Sequence, residues 1–136
     1  MSEIKQAVVK NTRVIRKENK NTSTVCTKGN IMDLTAGLAV DATSGSTTAT
    51  IVGICNETIA AADALSQVEI LVPGKGDTFV VDSTNNSDAT HNGQAMIVGA
   101  NAHTINNTGT TDPAGVVKQV GVYGATGDKK IIVEFL

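Results

Sequence analysis

The chain is 136 residues long, 40% hydrophobic, with a net charge of −2, two cysteines and only three aromatic residues. That length suits one domain able to bury roughly two thirds of the surface its unfolded form exposes. No stretch approaches the roughly 20 apolar residues of a membrane-spanning helix, Met1–Lys5 lacks the apolar run of an export signal, and the scarcity of aromatics argues against carbohydrate platforms and base-stacking surfaces.

Valine and isoleucine together number 27 against 5 leucines, and 18 threonines add further β-branching. Branching at Cβ restricts χ1 and suits a pleated surface better than a helix, so the composition predicts strands. Charge is uneven. Residues 1–20 carry six basic and two acidic side chains, a net +4, so the other 116 residues carry −6. A basic segment ahead of an acidic body suits contact with an acidic surface or nucleic acid, or forms a solvated terminus.

Residues 1–24 read as an extended arm with one strand, and residues 25–136 as the domain proper. Lys28-Gly29-Asn30 predicts a turn, Ile31–Leu34 a short strand, Thr35-Ala36-Gly37 a second turn and Leu38–Val40 another strand. Residues 41–49, small and polar, predict an exposed loop. Ile51–Cys55 and Gln67–Val72 are the two runs around which the rest is placed, joined by an Ala-rich link with room for one helical turn. In the second run Val68, Ile70 and Val72 share one face, and Leu71 interrupts the polar side.

Pro73–Asp77 closes that strand and Thr78–Asp82 opens the next. Residues 83–95 predict a surface loop, Ala95–Gly99 a strand, and residues 101–115 a second long polar loop. The last part reads as a hairpin, Val116–Tyr123 and Lys129–Phe135 around a Gly-rich turn, with Ile131, Val133 and Phe135 on the buried face.

Chemistry-bearing motifs are absent or out of register. Gly74-Lys75-Gly76-Asp77-Thr78 lacks the upstream glycine and following helix of a phosphate loop. His91 and His103 have no second ligand at zinc spacings, and Asp77, Asp82 and Asp88 do not follow a calcium-loop pattern. Cys26 and Cys55 read as reduced, buried thiols, and Cys55 in an apolar strand is a poor nucleophile. The Asn-X-Ser/Thr triplets at Asn21, Asn56, Asn85 and Asn106 reflect composition. The reading assigns no catalytic residue, cofactor or metal.

The order of elements resembles the small capsid decoration, or cement, proteins of tailed bacteriophages. The residues that carry the resemblance are the turn Lys28-Gly29-Asn30 leading to Leu34-Thr35-Ala36-Gly37, Ile51-Val52-Gly53-Ile54-Cys55-Asn56-Glu57, Val68-Glu69-Ile70-Leu71-Val72-Pro73-Gly74 and the closing Ile131-Ile132-Val133-Glu134-Phe135. The resemblance implies an all-β fold, a single compact β-barrel or β-tulip-like domain with an extended N-terminal arm. It further implies a virion protein on the capsid exterior, made in the host bacterial cytoplasm. Such a protein binds the major capsid protein of an assembled shell as a homo-oligomer, with a trimer favoured, and needs neither nucleic acid nor membrane. Lys10, Arg13, Arg16 and Lys17 are the expected capsid-docking residues. The alternative class is a virion or cell-surface adhesion or carbohydrate-binding β module, favoured by the Thr/Asn-rich loops and opposed by the missing aromatics.

Overall fold

The computed structural model describes residues 5–8, 14–20, 24–60, 67–108 and 115–136. Eleven strands and two single 3-10 turns (Ala89–His91 and Thr126–Asp128) account for the regular structure among them, the strands in chain order being β1 (Lys5–Val8), β2 (Val14–Asn19), β3 (Ile31–Thr35), β4 (Leu38–Asp41), β5 (Ile51–Cys55), β6 (Gln67–Val72), β7 (Thr78–Ser83), β8 (Ala95–Val98), β9 (Thr104–Asn106), β10 (Val117–Val122) and β11 (Lys130–Phe135). The protein is all-β, as the β-branched composition implies.

One sheet closes on itself. Its order runs β7-β11-β10-β8-β9, and β9 returns to pair with β7 in parallel, Asp82 beside Thr104 and Ser83 beside Ile105. The result is a five-stranded barrel without a free edge along that seam. Strand β1 occupies the other half of the same side of β7, with Lys5 opposite Val80. The second sheet has the order β2-β6-β5-β3-β4.

Alternation fills the barrel. Phe79 and Val81 from β7, Met96 and Val98 from β8, Ile105 from β9, and Ile131 and Val133 from β11 are all buried in one cluster. Phe135, on the same side of β11, is partly buried and meets Phe79 edge to face, ring centroids 5.6 Å apart at 87°. Val116 and Val117, with Ile31, Ala42, Ile54 and Leu71 of the second sheet and its margins, complete this cluster.

The other face of the second sheet is buried as well. Met32, Cys55, Val68 and Ile70 form a second cluster with Ala39, covered by Cys26 and Ile59, which are joined to each other by an isolated antiparallel bridge. Burial on both faces explains Leu71: it belongs to the first cluster while its neighbours Val68 and Ile70 belong to the second.

Strand β5 serves both clusters through a bulge. Its partner β3 places Met32 opposite Gly53 but Asp33 opposite Ile51, so Val52 is the extra residue. Ile51 therefore packs on the first cluster and Val52 on the second. Gly53 adopts φ 153°, and its backbone lies against β6 so closely that a Cβ would stand 2.2 Å from the Leu71 carbonyl oxygen.

Three segments differ from the sequence expectations. The N-terminal arm, expected to hold one strand, supplies two, one to each sheet. Residues 56–60, expected as part of a helical turn, contain no helix and instead place Ile59 in the bridge to Cys26, while 61–66 lie outside the described residues. The polar stretch 101–115, expected as loop throughout, contains β9. The loop after β7 is built rather than loose. Asn107, buried, accepts from the Asn85 N–H at 2.8 Å and donates to the Asn85 and Asn86 carbonyls at 3.2 Å. Gln119, also buried, donates to the Asp88 carbonyl and to Asn92 Oδ1, each at 2.9 Å. Together these amides hold residues 84–94 against β9 and β10, because each loop carbonyl they bind would otherwise be an unpaired acceptor near the core.

Candidate docking surface

Of the four expected docking residues, Lys10 and Arg13 lie outside the described residues, whereas Arg16 and Lys17 stand on β2 and are exposed. Strand β2 pairs with β6 in unbroken antiparallel register from Val14 opposite Val72 to Asn19 opposite Gln67. Paired residues share a face, so Val14, Arg16 and Glu18 lie on the side of Val68 and Ile70, and Ile15, Lys17 and Asn19 on the side of Leu71 and Glu69. Arg16 and Lys17 therefore point to opposite faces of the sheet, and charge is distributed across the strand. Arg16 forms an ion pair with Glu18, while Lys17 sits opposite Glu69.

Strand β2 and β4 are the ends of the second sheet. They lie beside each other at one end, where Lys20, buried and just past β2, bridges to Ala39 in parallel. Val14 is 54% exposed and Ile15 46% exposed, unusual for aliphatics in a strand. Val72, level with Val14, also lines a groove of about 480 Å³ between the two sheets. Ile51, Pro73, Phe135 and Leu136 add further apolar wall, with Lys75 and Glu134 adding charge of each sign. The sequence showed the basic residues, but the groove joins positions 48 to 136 and left no local signal.

Titratable groups elsewhere follow their surroundings. Burial pushes the Cys55 thiol up to about 11, opposed in part by a backbone hydrogen bond from Glu57 to the thiolate form; as a thiol it donates to the Glu57 carbonyl at 2.9 Å. Burial also raises Cys26, partly offset by the positive charge of Lys20. Two hydrogen bonds from Thr90, hydroxyl and backbone, hold the exposed Asp88 carboxyl below its usual range, and His91 Nε2 lies 3.6 Å from the same group. Among the described residues no three His, Cys, Asp or Glu side chains come together as metal ligands.

The thiols give a pH prediction. In the unfolded chain Cys55 ionises near 9.0, but in the folded protein it keeps its proton to about 11. Between those values the native state binds more protons, so stability falls as pH rises through that window and levels off above it. The two-unit shift corresponds to about 2–3 kcal/mol. Urea unfolding of the wild type and Cys55→Ala at pH 8 and pH 11 checks this. The stability difference between them should shrink by about 2 kcal/mol at the higher pH, and a difference independent of pH would contradict it.

The chain thus builds an all-β protein: a closed five-stranded barrel, a second sheet buried on both faces, and a basic strand at the end of that sheet. No protein-family model matches the chain, and no curated protein matches its sequence.

Proposed function

We propose that the protein is a capsid decoration protein, which binds the outer surface of an assembled bacteriophage shell and stabilises it. Its partner on this reading is the major capsid protein, its place the virion exterior, and its working form a homo-oligomer with a trimer favoured. The sequence resemblance supports the reading, and the observation that carries it is the exposure of β2, whose aliphatic and basic side chains face solvent from a body held by two cores. Such a body needs no reaction centre. Any protein that binds only the assembled state stabilises that state by mass action, and many copies on a symmetric lattice multiply a modest contact.

Co-sedimentation with immature and expanded shells of the parent virus lacking this protein tests the reading. Saturable binding to expanded shells at a fixed copy number is expected, and binding to neither form overturns it. The basic residues are tested by replacing Lys10, Arg13, Arg16 and Lys17 with Gln, which keeps β1 and β2 where truncation would remove both. The expected result is about tenfold weaker shell binding at 50 mM salt, with the difference narrowing at 500 mM as screening removes the wild type's advantage.

A further inference from the structure

We propose that Asn92 is a latent modification site: spontaneous deamidation of Asn92-Gly93 would unlatch the loop over one end of the barrel, and Gln119 holds that reaction off. The inference stands apart from the decoration reading.

Asparagine is among the thermolabile residues, most of all ahead of glycine, where no side chain on the following residue hinders the attacking nitrogen. The chain has one such pair, at 92–93, and both residues are exposed, so solvent base reaches them. Base takes the Gly93 N–H proton, the nitrogen attacks Asn92 Cγ, and the new C–N bond closes a five-membered imide while the side-chain nitrogen leaves as ammonia. Water then opens the imide at either carbonyl, leaving aspartate or isoaspartate at 92. One water is consumed and one ammonia released.

The fold keeps nucleophile and electrophile apart. Residues 91–94 form a type II turn, with Asn92 at φ −56°, ψ 132°, Gly93 at φ 89° and the Gln94 N–H donating to the His91 carbonyl at 3.0 Å. Ring closure requires the negative ψ that eclipses Gly93 N with Asn92 Cβ, a value that belongs to the mirror-image turn, so the pair stands far from an attack geometry. The proton that must leave is also engaged, because the Gly93 N–H donates to the Gln119 carbonyl at 2.8 Å. From its side chain, Gln119 Nε2 donates to Asn92 Oδ1 at 2.9 Å. That bond polarises the amide, but it also fixes the amide where the nitrogen cannot reach it. One residue thus restrains both reacting groups.

Modification would undo the latch. Gln119 is fully buried, and its Nε2 binds the Asp88 carbonyl as well, at 2.9 Å. Isoaspartate routes the main chain through the former side chain and lengthens it by one methylene, so the bonds at Asn92 Oδ1 and at Gly93 N–H cannot both be kept. Residues 84–94 then loosen from β10, and a buried amide loses a partner.

Peptide mapping by mass spectrometry tests this on the full chain held at pH 9, folded or unfolded in guanidinium chloride. Amide exchange and imide formation begin with loss of the same Gly93 proton. The fold must therefore slow deamidation at least as much as it slows Gly93 exchange, by about a hundredfold or more. Gln119→Leu keeps most of the volume and the main-chain bond but removes the side-chain latch, so the folded variant should deamidate about tenfold faster. In wild-type protein aged until Asn92 is modified, amides of 84–94 should exchange about tenfold faster. Equal deamidation in the folded and unfolded chain, suppression smaller than that of Gly93 exchange, or an unchanged rate in folded Gln119→Leu overturns the proposal. Unchanged exchange across 84–94 in the aged protein overturns it as well. Should Gln119→Leu not fold, the two wild-type comparisons decide.

Discussion

Replacing Gly53 with alanine is expected to lower stability by about 3–5 kcal/mol, a large fraction of the total for a domain this size. Two causes combine at this position. The backbone at φ 153° lies where L side chains are strained, and the added methyl would stand 2.2 Å from the Leu71 carbonyl oxygen and 3.0 Å from Ile70 Cγ2. The nearest obstacle is main chain, so relief requires β5 and β6 to separate. Separation would cost the Ile54–Leu71 and Cys55–Ile70 pairings and loosen both clusters at once. Chemical unfolding monitored by circular dichroism measures the loss. Gly45→Ala is the control, because its nearest neighbour is a side-chain oxygen at 3.7 Å, and it should change stability by under about 1 kcal/mol.

Truncating Phe79 to alanine should cost about 3–5 kcal/mol, lowering the melting temperature by on the order of 10–15 °C. Phe79 is the largest fully buried side chain and one of only two phenylalanines, in a core otherwise built mainly from Val and Ile. Small β-branched neighbours are stiff and collapse poorly into a ring-sized void, which places the loss toward the upper end of that range. The edge-to-face contact with Phe135 disappears as well. Phe79→Leu, which keeps most of the volume, should cost about half as much. Equal melting temperatures for the two variants would show that the ring's shape, and not the volume it fills, holds the barrel interior.

Much of the fold was legible because strand alternation is a strong local signal. Ile131, Val133 and Phe135 alternate cleanly, and they lie on the inner side of β11 as that pattern requires. Strand β9 was hidden because Thr104-Ile105-Asn106 carries one apolar residue in three, and its stability comes from β7 and β8 on either side. The split of Arg16 and Lys17 between two faces follows from strand periodicity, but Val14–Asn19 is too polar to declare itself a strand without β6 beside it. Leu71 looked like a flaw in a pattern and was the mark of a sheet covered on both sides. The groove was invisible for a different reason: concavity belongs to elements brought together from separate parts of the chain.

The parallel seam between β7 and β9 also sets an order of events during synthesis. Strand β7 is a stave whose antiparallel neighbour, β11, begins at Lys130, 47 positions after β7 ends at Ser83. While the ribosome is still making that interval, β7 has β1 and β9 for company but the ring stays open between β7 and β10, and the cluster around Phe79 and Val81 lacks Ile131 and Val133. Topologies so dependent on distant pairings fold slowly. The nascent chain therefore carries an unfinished apolar surface until Lys130–Phe135 have cleared the exit tunnel, and the barrel closes only then.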